Sequence, residues 1–296
     1  MKSPLIRKLF SCFIALIGFC SIFLFLSNCT TNSPTNKKTL YDLSAEEQQW
    51  MTKFFNAIML EHSAIYTLWG SKPVTEIVIE HHSEEEMKAY FDSLSEEEKK
   101  NRWIVNDYDL AENWEKWKQI HQLFPIKRYL FFQSEWRRTP DATFVYFVDI
   151  LKTAITIEEN YGLFRKQVGF DFDPTQVVFE MATNDSIFWK KINGNSLLWG
   201  ILFGYGKENA YAFHWKYYEH AANADTFFDS IKHEFSETVP FGELKVGLDN
   251  FEIPSFVSFN DNDETIQKYQ MEREKIRNQY RNQQFLDLTL KRLTRE

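Results

Sequence analysis

Beyond its first twenty-nine residues this chain has no cysteine. Cys12, Cys20 and Cys29 are its only three thiols in 296 residues. Everything after Cys29 therefore forms no disulfide, holds no thiolate metal site and offers no cysteine nucleophile. Positive charge is also short, with 34 Lys and Arg against 42 Asp and Glu. Phosphate backbones require a basic face, so this balance excludes nucleic acid as a partner. The histidines are His62, His81, His82, His121, His214, His220 and His233, and no two stand four residues apart. A helical zinc motif of the His-Glu-x-x-His kind is thus missing. Gly206-Lys207 is followed by Glu208, with no glycine five positions before Gly206, so a phosphate-loop spacing is missing as well. There is no internal repeat. Without disulfides the body must stand on packing, and an aromatic content of 17% can supply the buried area.

What is present begins at the N-terminus. Lys2, Arg7 and Lys8 precede an apolar run from Leu9 to Leu26. The run ends in Leu26-Ser27-Asn28-Cys29, and the polar stretch Thr30 to Lys38 follows with Pro34 inside it. A basic start, an apolar core and a small polar exit are the parts of a secretory signal peptide. Leu-Ser-x-Cys resembles the lipobox of bacterial lipoproteins, although Asn28 stands where those proteins carry Gly, Ala or Ser. The resemblance implies that Cys29 is lipidated, with palmitate among its acyl chains, and becomes the first residue of the mature chain. The alternative is an uncleaved anchor, since about 18 apolar residues reach the lower bound for a spanning helix. Either way the positive start stays inside, and the body faces the periplasm or exterior. Removing Lys2, Arg7 and Lys8 from the 34 cations leaves 31 against 42 acidic residues, a mature charge of about −11.

The body reads as a mostly helical α+β single domain with a small antiparallel sheet and a long C-terminal helix. Residues 1–28 form the signal peptide, 29–41 a polar tether, 42–260 the globular domain and 261–296 the C-terminal helix. Ser44 with Glu47 opens a first helix that runs to Gly70, and Ser83/Glu86 and Ser95/Glu98 open two more. Val74 to Glu80 reads as a strand, and Lys127 to Glu135 with Thr143 to Ile150 as a hairpin around the turn Arg137-Arg138-Thr139-Pro140-Asp141. Leu110, Trp114, Trp117, His121 and Phe124 make one helical stripe, and Leu151 to Tyr161 a further helix. The apolar stretch Leu197 to Gly206 is expected to form a buried helix, and Asn209 to Ala221 an aromatic-rich one. Weak strand signals lie at Leu244 to Leu248 and Phe256 to Phe259. The final helix, from Asp263 onward, has a thin stripe of Ile266, Tyr269, Ile276, Tyr280, Leu290 and Leu293. Leu68 to Pro73 and Gly204 to Ala210 look like segments of uncharacterised proteins from intracellular bacteria, a likeness that implies no activity.

Each candidate for chemistry has a plain structural counterpart. Asp171-Phe172-Asp173-Pro174-Thr175 resembles the Asp-x-Asp-x-Thr motif of haloacid-dehalogenase-type phosphatases, but the strand which that motif needs does not precede it. A helix cap at Asp173 with Pro174 in the first turn is the better reading. Gly200, Gly204 and Gly206 read as close packing followed by a turn. Asp261-Asn262-Asp263 reads as a cap for the last helix, not a calcium loop. The aromatics Trp199 and Tyr205, with Tyr211, Phe213, His214, Trp215, Tyr217 and Tyr218, suit either the core or a sugar or lipid pocket.

The expectation is therefore a lipid-anchored envelope lipoprotein, a non-catalytic interaction or scaffold protein with no cofactor, metal or catalytic residue assigned. Its partners are the membrane, through lipid on Cys29, and a protein docked on the C-terminal helix. The alternatives are an envelope hydrolase using carboxylate and histidine residues, or a carrier of an apolar ligand. With Cys29→Ala, radiolabelled palmitate incorporation and membrane retention are both lost. A native polypeptide that begins at Met1, or that is lipid-free in the cytosol, contradicts the lipobox.

Overall fold

A computed structural model of the chain describes residues 42–96, 99, 108–216, 229–230, 246–258 and 263–294. Cys29, the leader, the tether, Glu98, Tyr217, Tyr218, His220, His233, Asp261 and Asn262 lie outside these residues. The segment from Thr39 to the C-terminus is one compact unit, an α+β domain, mostly helical, with a small antiparallel sheet.

Helix α1 (Ala45–Asn56) starts as its sequence dictates. The Ser44 N–H donates to Glu47 Oε2 at 2.8 Å, and the Glu47 N–H donates to Ser44 Oγ at 3.2 Å. Two amides that a helix start leaves unpaired are satisfied in this way. The helix does not run intact to Gly70. It passes through a single π turn at Ala57–Glu61, breaks where Ser63 takes φ 60°, and resumes as α2 (Ile65–Leu68). Strand β1 (Val74–Glu80) follows, then α3 (Glu84–Ser93), with the Ser83/Glu86 capping box formed. Helix α4 (Tyr108–Ile120) leads to the hairpin β2 (Tyr129–Thr139) and β3 (Ala142–Asp149).

The sheet order is β1-β3-β2, antiparallel throughout, with Glu76 opposite Tyr146 and Leu130 opposite Val148. Because side chains alternate along a strand, the sheet has two faces. Ile77, Ile79, Val145, Phe147 and Phe131 meet α1, α2 and α4 on one face. Val74, Val78, Phe144, Tyr146 and Val148 meet a second layer of helices on the other. That layer consists of α5 (Ile150–Glu159), α6 (Tyr161–Val168), α7 (Pro174–Glu180), α8 (Ile187–Ile192) and α9 (Ser196–Leu202). Asp149, fully buried at the end of β3, caps α5 through the Lys152 N–H and accepts from Arg128 at 2.9 Å and Lys152 at 3.1 Å. A buried carboxylate needs such partners.

Helix α10 (Lys207–His214) packs on α9, and a two-stranded pair joins β4 (Asp229–Ser230) to β5 (Val257–Ser258). The strand signal before it is not realised over the described part of Leu244 to Leu248. Residues 248–250 form a turn there, with the Asn250 side chain accepting from the Gly247 N–H at 2.6 Å. The C-terminal segment is α11 (Glu264–Tyr280) and then α12 (Phe285–Thr294), separated by a turn in which Asn282 adopts φ 60°. The expected stripe is real, and all six of its residues are buried in the same cluster as α1. Tyr269 meets Tyr66 edge-on at 5.3 Å, and the Trp69 indole donates to the Tyr280 hydroxyl at 3.0 Å. The C-terminal helices thus complete the core. No helix of the described residues is long and apolar enough to cross a membrane.

Candidate functional site

A polar group sits among the apolar side chains on one face of the sheet. Glu76 lies between Val74 and Val78 on β1, opposite Tyr146 of β3. The Tyr146 hydroxyl and the Arg137 guanidinium both donate to Glu76 Oε2, and Arg137 Nη1 lies 3.4 Å from the Tyr146 hydroxyl. Arg137 reaches this face because β2 is irregular. Gln133 pairs with Val145, but Arg138 pairs with Thr143, so three extra residues sit on β2 between them. An odd insertion reverses which face the following residues occupy. Arg137 would otherwise point to the opposite face. Instead its guanidinium lies 4.4 Å from the Phe144 ring centre and meets Glu76 across β3. The Ser134 hydroxyl stabilises the bulge by accepting from the Arg137 N–H at 3.1 Å.

Burial sets the protonation behaviour of this group. It raises the Glu76 carboxyl above its usual range, while Tyr146, Arg137 and Lys72 pull it back. Burial raises the Tyr146 and Tyr205 hydroxyls too, and the Glu76 charge adds to both effects. Lys72 is only 4% exposed, and its ammonium lies 4.9 Å from the Tyr205 ring centre and 5.6 Å from that of Phe203. Desolvation lowers its pKa to about 7, against the opposing pull of Glu76.

Glu76 and Arg137 open into a cavity of about 550 Å³ with Trp199, Tyr205, Phe213 and Phe256 on its walls. Cavities of roughly 300–1,000 Å³ are the ordinary size for small-molecule sites. The loop after α9 builds one wall. Gly204 has φ 77° and lies so close to α11 that an added Cβ would stand 2.6 Å from the Tyr269 hydroxyl, which donates to the Gly204 carbonyl at 2.9 Å. Asn209 donates to the Tyr205 carbonyl at 3.0 Å and to Asp263 at 3.1 Å, which fixes Tyr205. Tyr205 stacks on Phe256 with centroids 5.1 Å apart. The C-terminal helix therefore positions the site from behind.

The residues singled out from the sequence divide sharply. Trp199, Tyr205 and Phe213 come together in this cavity, whereas Tyr211, His214 and Trp215 line a second one of about 680 Å³. The Ser196 hydroxyl, on the first cavity, lies 2.7 Å from His214 Nδ1. Asp173 caps α7 through the Gln176 N–H at 2.8 Å, and Asp171 is exposed and paired with Arg165 at 2.6 Å. That local bonding is the helix-cap reading. Gly200 lets α10 approach closely, for an added Cβ would stand 2.8 Å from Ala210 Cβ, and Gly206 precedes α10 with φ 80°. Asp263 caps α11 through the Thr265 and Ile266 amides. His81 meets Thr143, His82 meets Glu80, and His121 meets the Lys118 carbonyl. Among the described residues no group of three or more His, Cys, Asp and Glu could hold a metal. Glu76, Arg137 and Lys72 were not anticipated as site residues. The visible signal was a carboxylate at a position of β1 that alternation assigns to an apolar face.

Comparison with protein-family models, with curated proteins and with solved structures returns no match for this chain.

Lys72 gives this site a signature. Its folded pKa lies below the unfolded 10.5, so below about pH 7 the fold carries the full cost of a buried ammonium. That cost fades as pH rises from about 7 to 10.5, because the unfolded chain then binds more protons than the fold. Lys72→Met should raise the thermal midpoint at pH 6 by an amount equivalent to a few kcal/mol, at roughly 1.4 kcal/mol per pKa unit. By pH 10 the gain should nearly vanish. Equal gains at pH 6 and pH 10 would show that the Lys72 charge is not buried.

Proposed function

We propose that this chain is a lipid-anchored envelope protein, held by Cys29, whose α+β body binds a small molecule without transforming it. The observation that carries the reading is the cavity of about 550 Å³ with the Glu76–Arg137 pair and aromatic walls. It combines a few polar groups on one side with apolar surface on the other, the usual composition of a ligand site. Among the described residues Glu76 is the one acidic side chain on its lining, and no histidine stands there. The Ser196 hydroxyl on this lining lies 2.7 Å from His214 Nδ1, but the His214 ring lines the second cavity. An acid and a base serving one reacting atom would line one cavity, and among the described residues His214 and Glu76 do not. An interaction role also fits the C-terminal helices, but their apolar stripe is buried inside the chain. A protein partner would meet their polar outer face.

The test is a saturation-transfer NMR screen of small ring compounds against the full chain in micelles. Ser255 is exposed on the cavity lining, so Ser255→Trp fills the space with little cost to the fold. Hits should compete for one site and vanish in Ser255→Trp while its circular dichroism and melting point hold. An absence of hits, or hits that persist in the variant, contradicts the proposal.

A further inference from the structure

We infer that the ligand of this cavity is a neutral ring bearing adjacent hydroxyls, a pyranose sugar, an inference that rests on the ligand-binding reading above. The charge arrangement argues against the other classes. A cationic ligand would approach Arg137, and two of the rings that would cage it, Phe203 and Tyr205, already carry Lys72. Tyr205 is further covered by Phe256. An anionic ligand would enter beside Glu76, a carboxylate that burial already disfavours as an ion. A purely apolar ligand would strip water from Glu76, Arg137, Asn193 and Ser255 and return no hydrogen bonds.

A pyranose matches what remains. Glu76 receives its contacts on Oε2, and among the described residues Oε1 accepts from none. Arg137, with its side chain 39% exposed, holds its guanidinium against Oε2 of the same carboxylate. An acceptor and a donor side by side complement two neighbouring hydroxyls, each of which both donates and accepts. One hydroxyl donates to Glu76 Oε1 while the next accepts from Arg137. The Asn193 amide and the Ser255 hydroxyl are neutral groups suited to the remaining hydroxyls. Phe213, 36% exposed, presents ring surface to the C–H face of the sugar. No covalent step is involved.

Isothermal titration of the full chain, in a polyoxyethylene detergent that carries no sugar, tests this with named probes. These are methyl glucoside, methyl galactoside and methyl N-acetylglucosaminide, with choline and benzoate as cationic and anionic ring-sized counterparts. At least one pyranoside should bind saturably, and Glu76→Gln and Arg137→Met should each weaken it about tenfold. Glu76→Gln keeps an acceptor for the Tyr146 hydroxyl, and unchanged circular dichroism with a cooperative melt shows for each variant that the fold is kept. Chito-oligosaccharides that bind more tightly than the single ring place the sugar at the end of a glycan, and equal binding indicates a free sugar. Binding of choline or benzoate with no pyranoside overturns this inference and leaves the ligand-binding reading standing. Binding of none of the probes, with no hits in the ring-compound screen, overturns both. Pyranoside binding that is indifferent to Glu76→Gln and Arg137→Met also overturns the inference.

Discussion

A three-stranded sheet with helices on both faces is the constraint from which the rest of this molecule follows. Its middle strand, β3, is buried from Phe144 to Asp149 without interruption. Both faces carry apolar side chains, so each must be covered. One face is closed by α1, α4 and the C-terminal helices, the other by α5 to α9. The aromatic content that stands in for disulfides is divided between these two layers. Trp117 packs among Phe54, Phe55, Phe124 and Phe131 in the first, and Trp189 and Trp199 sit together in the second. Truncating a buried tryptophan of this kind costs about 3–5 kcal/mol, a large part of a typical domain's stability of roughly 5–15 kcal/mol.

Doubly covered sheets have no dry-side tolerance for charge, which makes Glu76 the informative residue. Its carboxylate is kept in place by Arg137, and Arg137 arrives only because the bulge in β2 reverses the face on which it lies. The same layer that shields the sheet leaves a cavity beside this pair, bounded by α9 and by the turn that carries Tyr205. The bulge thus brings the charged pair together, and the cavity opens beside it. Natural sheets place irregularities next to functional groups for this reason.

Much of the fold was legible because its signals are local. Ser44 with Glu47, Ser83 with Glu86, Asp173 before Pro174 and Asp263 before Glu264 each act within three residues, and each cap forms. The span of β1 was legible from a run of β-branched residues bounded by Pro73 and His81. The helix break at Ser63 and the turn at Asn282 were not, because both place a non-glycine residue at positive φ where only tertiary packing holds it. The site was half legible. Trp199, Tyr205 and Phe213 were marked as aromatic clusters, but Arg137 read as part of a turn, since nothing local to Arg137-Arg138-Thr139-Pro140 announces a reversed face. Lys72 was hidden for a similar reason, because its burial comes from Phe203 and Tyr205, far along the chain.

The most direct measurement of the central claim is a double-mutant cycle on Glu76→Gln and Arg137→Met, read by denaturant unfolding of the full chain. Two side chains that meet on a covered sheet face should couple by about 1–3 kcal/mol in favour of the wild-type pair. Effects that simply add, with no coupling, would mean that Arg137 does not cross β3 to Glu76, and the account of bulge, charge and cavity would fail with it.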